Sequence, residues 1–321
     1  MISTFDRRRS WIFVAVAYGI SIALGLVIFF NGGLFGADSS GLNPAPFATT
    51  LLMGLMFAPT VANIATRLIT REGWSNTMLR PNLRRGWRFY LAALLLPILA
   101  TIVGGVIYYL LFPNKFDLSM AWAREMGMIA PIGKDWGPGM YFILLVAMAL
   151  VTSVTMGLLL SFGEEFGWRA YFLPKLMPLG PRKAVLLVGV IHGVWHWPII
   201  FMGYEYGFGY WGAPVVGPLL FVVFTIYLSA FLAWVTLRTG SVWPAAVGHA
   251  AINASALLML YFVSGDVARL VGPLPVGIVG SLGYAVLALL IFLTPRTLAP
   301  IDTPPPPEPK VVQELAQRAA I

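Results

Sequence analysis

The chain of 321 residues is 59% hydrophobic and only 11% charged, with a formal net charge of +8 and a mean hydropathy of +0.81. A soluble domain carries about 25% charged residues, so this composition excludes a water-covered globule and leaves a polytopic membrane protein. The lack of cysteine excludes disulfides, thiol nucleophiles and cysteine-ligated metals, and positive charge that sits mostly in loops reports membrane orientation rather than nucleic-acid binding.

Long apolar runs without a two-residue alternation predict an all-α fold rather than a β-barrel. Met1 to Arg9 ahead of an apolar run resembles a signal peptide, but the run is long enough to cross a bilayer and no small-residue cleavage site follows. It is read as the first of eight spans, at 11–31, 46–69, 88–112, 139–164, 183–203, 215–237, 243–263 and 274–294. Pro59 predicts a kink in the second. Between the third and fourth, Pro113 to Pro138 intersperses Phe116, Leu118, Met120, Trp122, Met126 and Met128 with charges, which predicts an interfacial helix on the outer surface. Residues 1–300 thus form one transmembrane domain, with a core at 139–263. Residues 301–321 form a cytoplasmic tail whose stretch Thr303 to Pro309 is an extended proline-rich spacer, followed by a disordered or short amphipathic end. No internal repeat of the kind that builds inverted-repeat transporters is evident.

Loop charge sets the orientation. Arg7, Arg8 and Arg9 precede the first span; Arg67, Arg71, Arg80, Arg84, Arg85 and Arg88 lie at and between the facing ends of the second and third. Lys175, Arg182 and Lys183 follow the fourth, Arg238 the sixth and Arg296 the eighth. The alternate loops are poor or balanced: Asp38; Lys115, Asp117, Arg124, Glu125, Lys134 and Asp135; Glu205; and Asp266 with Arg269. The positive-inside rule then places both termini in the cytoplasm; in a prokaryote the membrane would be the cytoplasmic membrane.

The chemistry-bearing residues lie inside apolar segments. A charged group at the bilayer centre costs about 2.5 kcal/mol or more on insertion scales, so such groups are usually functional. Glu164, Glu165 and Arg169 crowd the end of the fourth span. Glu165 and Arg169 share a helical face, while Glu164 projects about 100° away. A snorkelling charge cluster explains Arg169 but not two adjacent glutamates. His192 and His196 lie one turn apart on the fifth span, the spacing of two histidines that bind one metal. Zinc is the metal this pair suits, borrowing Glu164, Glu165 or His249 as further ligands. His249 and Asn253 repeat the spacing on the seventh span, where each alone reads as interhelical glue. With the orientation above, Glu164, Glu165, His192 and His249 share the cytoplasmic half of three helices, with His196 and Asn253 near the midplane. That overlap in depth predicts one cavity among the fourth, fifth and seventh spans, opening to the cytoplasm.

The order EExxxR, a histidine within a helix, then HxxxN resembles the CPBP intramembrane proteases, the CAAX prenyl protease and bacteriocin-processing family. The likeness covers about Leu158 to Ala256. It implies an intramembrane endopeptidase acting on a membrane-embedded or lipidated peptide or protein in the bilayer. Glu164 would be the general base on a water, with His196 holding that water. Glu165 and Arg169 would set the local electrostatics, and His249 with Asn253 would stabilise the oxyanion. The family's middle motif is usually FxxxH; here His192 stands at the aromatic position and His196 at the histidine. A zinc-dependent form, with Glu164, His192, His196 and His249 as ligands, and a metal-free glutamate form both remain open. Two other classes suit the same residues: a proton-coupled transporter using the Glu and His groups as a relay, and a non-catalytic membrane partner such as a bacteriocin-immunity protein or scaffold.

Overall fold

A computed structural model describes residues 5–36, 44–133 and 135–299. Asp38, Lys134 and the proline-rich tail lie outside the described residues. Within them the protein is all-helical, with a single isolated bridge pairing Phe116 and Val263. In chain order the helices are α1 (Arg7–Phe30), α2 (Pro46–Leu55), α3 (Ala58–Thr70), α4 (Leu83–Leu111), α5 (Ala121–Glu125), α6 (Pro138–Val154), α7 (Met156–Gly167), α8 (Leu173–Leu176), α9 (Pro181–Trp195), α10 (Trp197–Ile200), α11 (Val216–Thr239), α12 (Trp243–Ser255) and α13 (Leu282–Leu293). Leu99, Leu110, Val151 and Leu289 are exposed on outward faces, as lipid-facing side chains are.

Among the described residues, five helical stretches are long and apolar enough to cross a membrane: α1, α2 with α3, α4, α11, and α12 extended to Phe262. A sixth is α6 and the helical run beginning at α7, which meet at a 51° bend, if the pair counts as one span. The expected fifth and eighth spans fall short of that length, because α9 has 15 residues before α10 takes over and α13 has 12. Proline explains both interruptions. Pro198 stands in the first turn of α10, and Pro273 and Pro275 precede α13, where a missing N–H blocks continuous helix. Pro59 likewise begins a helix rather than kinking one: α2 ends at Leu55 and α3 restarts with Pro59 in its first turn, where no N–H is needed.

The site-bearing helix α7 lies directly against α3. A Cβ on Gly167 would stand 2.3 Å from the Pro59 Cβ and 2.4 Å from its carbonyl oxygen, so only glycine permits this approach. At the same contact Thr60 Oγ1 donates to the Gly163 carbonyl at 2.7 Å and Asn63 Nδ2 to the Phe166 carbonyl at 2.8 Å. Gly167→Ala forces the two backbones apart and is expected to destabilise by about 1–3 kcal/mol, as overpacking does. Thermal unfolding in detergent checks this; an unchanged midpoint would mean that α3 gives way freely.

The two ends of the bundle are tied differently. At the arginine-rich end Glu72 accepts from Tyr171 at 2.8 Å and pairs with Lys175, and Arg9 lies 3.3 Å from it. Burial alone would raise the Glu72 carboxyl, but bonds from Lys175 and Tyr171 and the nearby Lys175 and Arg9 charges outweigh it and hold it below its usual range. Asn82 Nδ2 donates to the Thr239 carbonyl at 2.9 Å and Val242 N–H to Met78 at 2.9 Å, which closes the loop before α4 onto α11 and α12. At the opposite end Asp117 N–H donates to Phe262 and Ser264 N–H to Lys115, both at 2.8 Å. The expected interfacial helix is here a single turn, α5. Met120 and Ala123 are fully buried against Tyr109, Tyr141 and Phe262, while Phe116 and Leu118 stay exposed, so the loop is anchored at this end of the bundle by its α5 turn.

Candidate active site

The EExxxR segment spans a change of helix type. α7 ends at Gly167, and Trp168–Phe172 form a π-helical turn before α8. Such turns widen the helix locally and recur at functional sites. Here the turn carries Arg169 inward: it is fully buried and its Nη1 donates to Glu165 Oε1 at 2.9 Å. The same oxygen lies 2.8 Å from His249 Nδ1. A carboxylate oxygen accepts, so His249 carries its proton on Nδ1 and is oriented by Glu165 from α12's neighbour α7. Glu165 and Arg169 therefore stand behind the site, joined to it through His249.

Glu164 faces the other way, as the 100° offset predicts, and meets α9. His192 Nε2 lies 2.8 Å from Glu164 Oε2, with both side chains almost fully buried. The ring is held by aromatic neighbours, with the Trp168 centroid at 5.1 Å and the His196 centroid at 4.9 Å. Trp168 is itself packed edge-on against Phe13 of α1. His196 ends α9, where its Nδ1 donates to the His192 carbonyl at 3.0 Å. That leaves Nε2 of a neutral ring as a lone pair. The fully buried Nδ1 of His192 has no protein partner among the described residues.

These groups line a cavity of about 450 Å³. Glu164, His192, His196, His249 and Asn253 all border it, whereas Glu165 and Arg169 do not. Asn253 is exposed to it on the same helix as His249. The wall is largely apolar and comes from more of the bundle than the three expected spans: Leu52 and Leu55 from α2, and Phe221, Phe224 and Leu228 from α11 also border it. Tyr204, Glu205 and Arg269 also border it. The sequence reading took the last two only as loop charges. The signal that marks Glu205 is its isolation in an apolar loop, where it adopts a left-handed backbone with φ of 68°. Enclosure by the protein pushes its carboxyl up to about 7, with Arg269 pulling the other way, although part of its surface stays open to the cavity.

Residues 138–255, from the start of α6 to the end of α12, match the family model for type II CAAX prenyl endopeptidases, Rce1-like. The chain is also 26% identical over 171 residues to CAAX prenyl protease 2 of Methanococcus maripaludis, a match covering 52% of this chain and 53% of that protein. The stretch from α6 to α12 is thus similar to the CPBP, or CAAX protease, family. It spans about half the length of the curated relative it matches. The matched stretch holds all seven residues placed above, from Glu164 to Asn253.

In this chain His192, which stands where the resemblance expects an aromatic residue, is the histidine bonded to the glutamate, and His196 sits beside it. One donor atom each from Glu164, His192 and His196 can be chosen so that all lie within 4.8 Å of one another. One oxygen and two imidazole nitrogens suit a three-ligand catalytic zinc with an open fourth position. His249 is not part of this group of donors; its Nδ1 bonds Glu165 instead. The donor set therefore fits zinc in type and number. The pair Glu164–His192 is meanwhile directly hydrogen-bonded, an arrangement that also serves a metal-free general base.

Proposed function

We propose that this protein is an integral membrane endopeptidase that hydrolyses a peptide bond of a membrane-associated protein or peptide. The observation that carries the reading is the meeting, in one apolar cavity, of the Glu164–His192 pair with His249 and Asn253 from α12. Glu164 takes a proton from water as the water oxygen attacks the peptide carbonyl, a role that general bases fill for about 10²–10⁴ in rate. His192 N–H and the His196 Nε2 lone pair hold the carboxylate and the water in line. The Asn253 amide donates to the developing oxyanion, and a pre-organised donor of this kind contributes about 3 kcal/mol. His249 adds a second donor when its Nε2 also carries a proton, a form that Glu165 stabilises. Glu164 then returns the proton to the leaving amine, and the bond is cut. If the enzyme carries zinc, Glu164, His192 and His196 would hold it, and it would polarise the carbonyl and lower the pKa of bound water.

The arginine-rich end faces the cytoplasm in this reading, by the positive-inside rule, and residues 1–300 form one membrane domain. The family supports peptidase chemistry; the prenylated substrate in the relatives' names is theirs. The test is a comparison of new peptide termini in membranes of cells carrying the wild-type chain or Glu164→Ala. Termini that depend on Glu164 identify the substrate and the bond. Their absence, at equal protein level, removes the peptidase reading and makes pH-driven flux into proteoliposomes, the transporter's signature, the next measurement. Chelation separates the two peptidase forms: a zinc enzyme loses cleavage with a strong chelator and regains it with metal, while a glutamate enzyme is unaffected.

A further inference from the structure

The cavity has a direction. From Glu164 and His249 its lining climbs α9 and α10 through His196 and Ile199 to Tyr204 and Glu205. Along α12 it climbs through Asn253 to Leu257, and Phe35, Arg269 and Leu274 join it from the loops at the Lys115–Asp266 end. No lining residue belongs to the described arginine-rich loops at 71–82, 176–183 or 238–242. Those loops are knitted shut by the Asn82, Val242 and Glu72 contacts described above. A second groove of about 780 Å³ lies on the opposite face, walled by Phe29, Phe201, Tyr206, Phe208 and Trp211. Phe35 and Arg269 border both groove and cavity, so these two residues stand between them.

We propose that substrate reaches the site from the face opposite the arginine-rich loops, through the aromatic groove, and passes a polar gate made by Glu205 and Arg269. With the arginine-rich end cytoplasmic, that face is extracytoplasmic, the reverse of the cytoplasmic opening expected from sequence depth. Sequence placed the catalytic residues nearer the cytoplasm, but depth along a helix says nothing of which end is plugged. The nature of the substrate rests on the peptidase reading; the route of entry does not. Under both, the substrate is a membrane protein or peptide whose cleaved bond lies at or just inside the extracytoplasmic boundary. Apolar side chains flank that bond, to suit Leu52, Ile199, Leu228 and Ile252 of the wall.

Because the chain has no cysteine, single cysteines report access without background. Asn253→Cys places a thiol at the site, Glu205→Cys one at the gate, and Arg84→Cys one at the exposed arginine-rich end. The probe is a charged, membrane-impermeant methanethiosulfonate applied to right-side-out and inside-out vesicles. Asn253→Cys and Glu205→Cys are expected to react in right-side-out vesicles and Arg84→Cys in inside-out ones. Adding Glu205→Trp to Asn253→Cys should slow its reaction roughly tenfold or more by closing the gate. Reaction of Asn253→Cys only in inside-out vesicles overturns the route, as does an unchanged rate with Glu205→Trp. Arg269→Trp is the alternative plug should Glu205→Trp not reach the membrane. Labelling as expected together with no Glu164-dependent cleavage removes the peptidase reading and leaves the route intact; the opposite pair of results does the reverse.

Discussion

Glu164→Gln is expected to reduce turnover by about 10²–10⁴ while leaving KM, membrane insertion and thermal stability close to wild type. The amide is isosteric and still accepts through its oxygen from His192 Nε2, 2.8 Å away in the native pair, so packing at this buried spot is retained. What it lacks is a lone pair basic enough to take the proton from water. A kinetic split of this kind separates a chemical role from a structural one, because a residue that only held α7 against α9 would lose stability and KM together. Retained activity in Glu164→Gln, on a substrate found through its new termini, would sink the general-base assignment. His192→Phe, which restores the aromatic side chain usual at this position in the family, is the companion variant. It removes the hydrogen bond to Glu164 but keeps a ring against Trp168, so a fall in turnover without a fall in stability is the signature of a positioning histidine.

Arg169→Met should cause the largest loss of stability, about 3–5 kcal/mol, because it strands a buried carboxylate. Arg169 and Glu165 are both fully buried, and their one hydrogen bond at 2.9 Å is joined only by the His249 contact on the same oxygen. Arg169 Nε and Nη2 and Glu165 Oε2 find no protein partner among the described residues. The pair is therefore stabilising mainly against the loss of one of its members, and the double variant Arg169→Met with Glu165→Gln should regain much of the stability lost by the single one. It should not regain activity, since His249 no longer has a carboxylate to fix its ring. Unfolding midpoints in detergent, read beside cleavage, test both statements; equal destabilisation by the single and double variants would show that the pair is worth its charges after all.

Much of the site was readable along the chain for one reason: charge inside a membrane is costly enough that each Glu, His and Arg in an apolar run stands out. The i,i+4 pairing of Glu165 with Arg169 and the opposed projection of Glu164 follow from helix geometry, and the structure has both. The partner of each carboxylate was not readable. That His192 rather than His196 bonds Glu164, and that His249 bonds Glu165, depends on how α9 and α12 rotate against α7. That rotation is set by close contacts, such as Gly193 of α9, where a Cβ would stand 2.5 Å from Thr225 Oγ1 of α11.

Composition and periodicity alone determined that this is an all-helical membrane protein, and the order of EExxxR, histidine and HxxxN carried its resemblance to the CAAX proteases, because both are properties of local sequence and of the solvent it must face. Span lengths were less secure, since proline breaks α9 from α10 and shortens α13 in ways a hydropathy window smooths over. Only tertiary structure brought Glu205 and Arg269 to the lining of the same cavity as Glu164 and His192. Glu205 and Arg269 lie 64 positions apart, in loops whose charges look ordinary one at a time. They meet because helices of the bundle bring their loops to one end, and which end is open depends on packing between elements, which no single segment encodes.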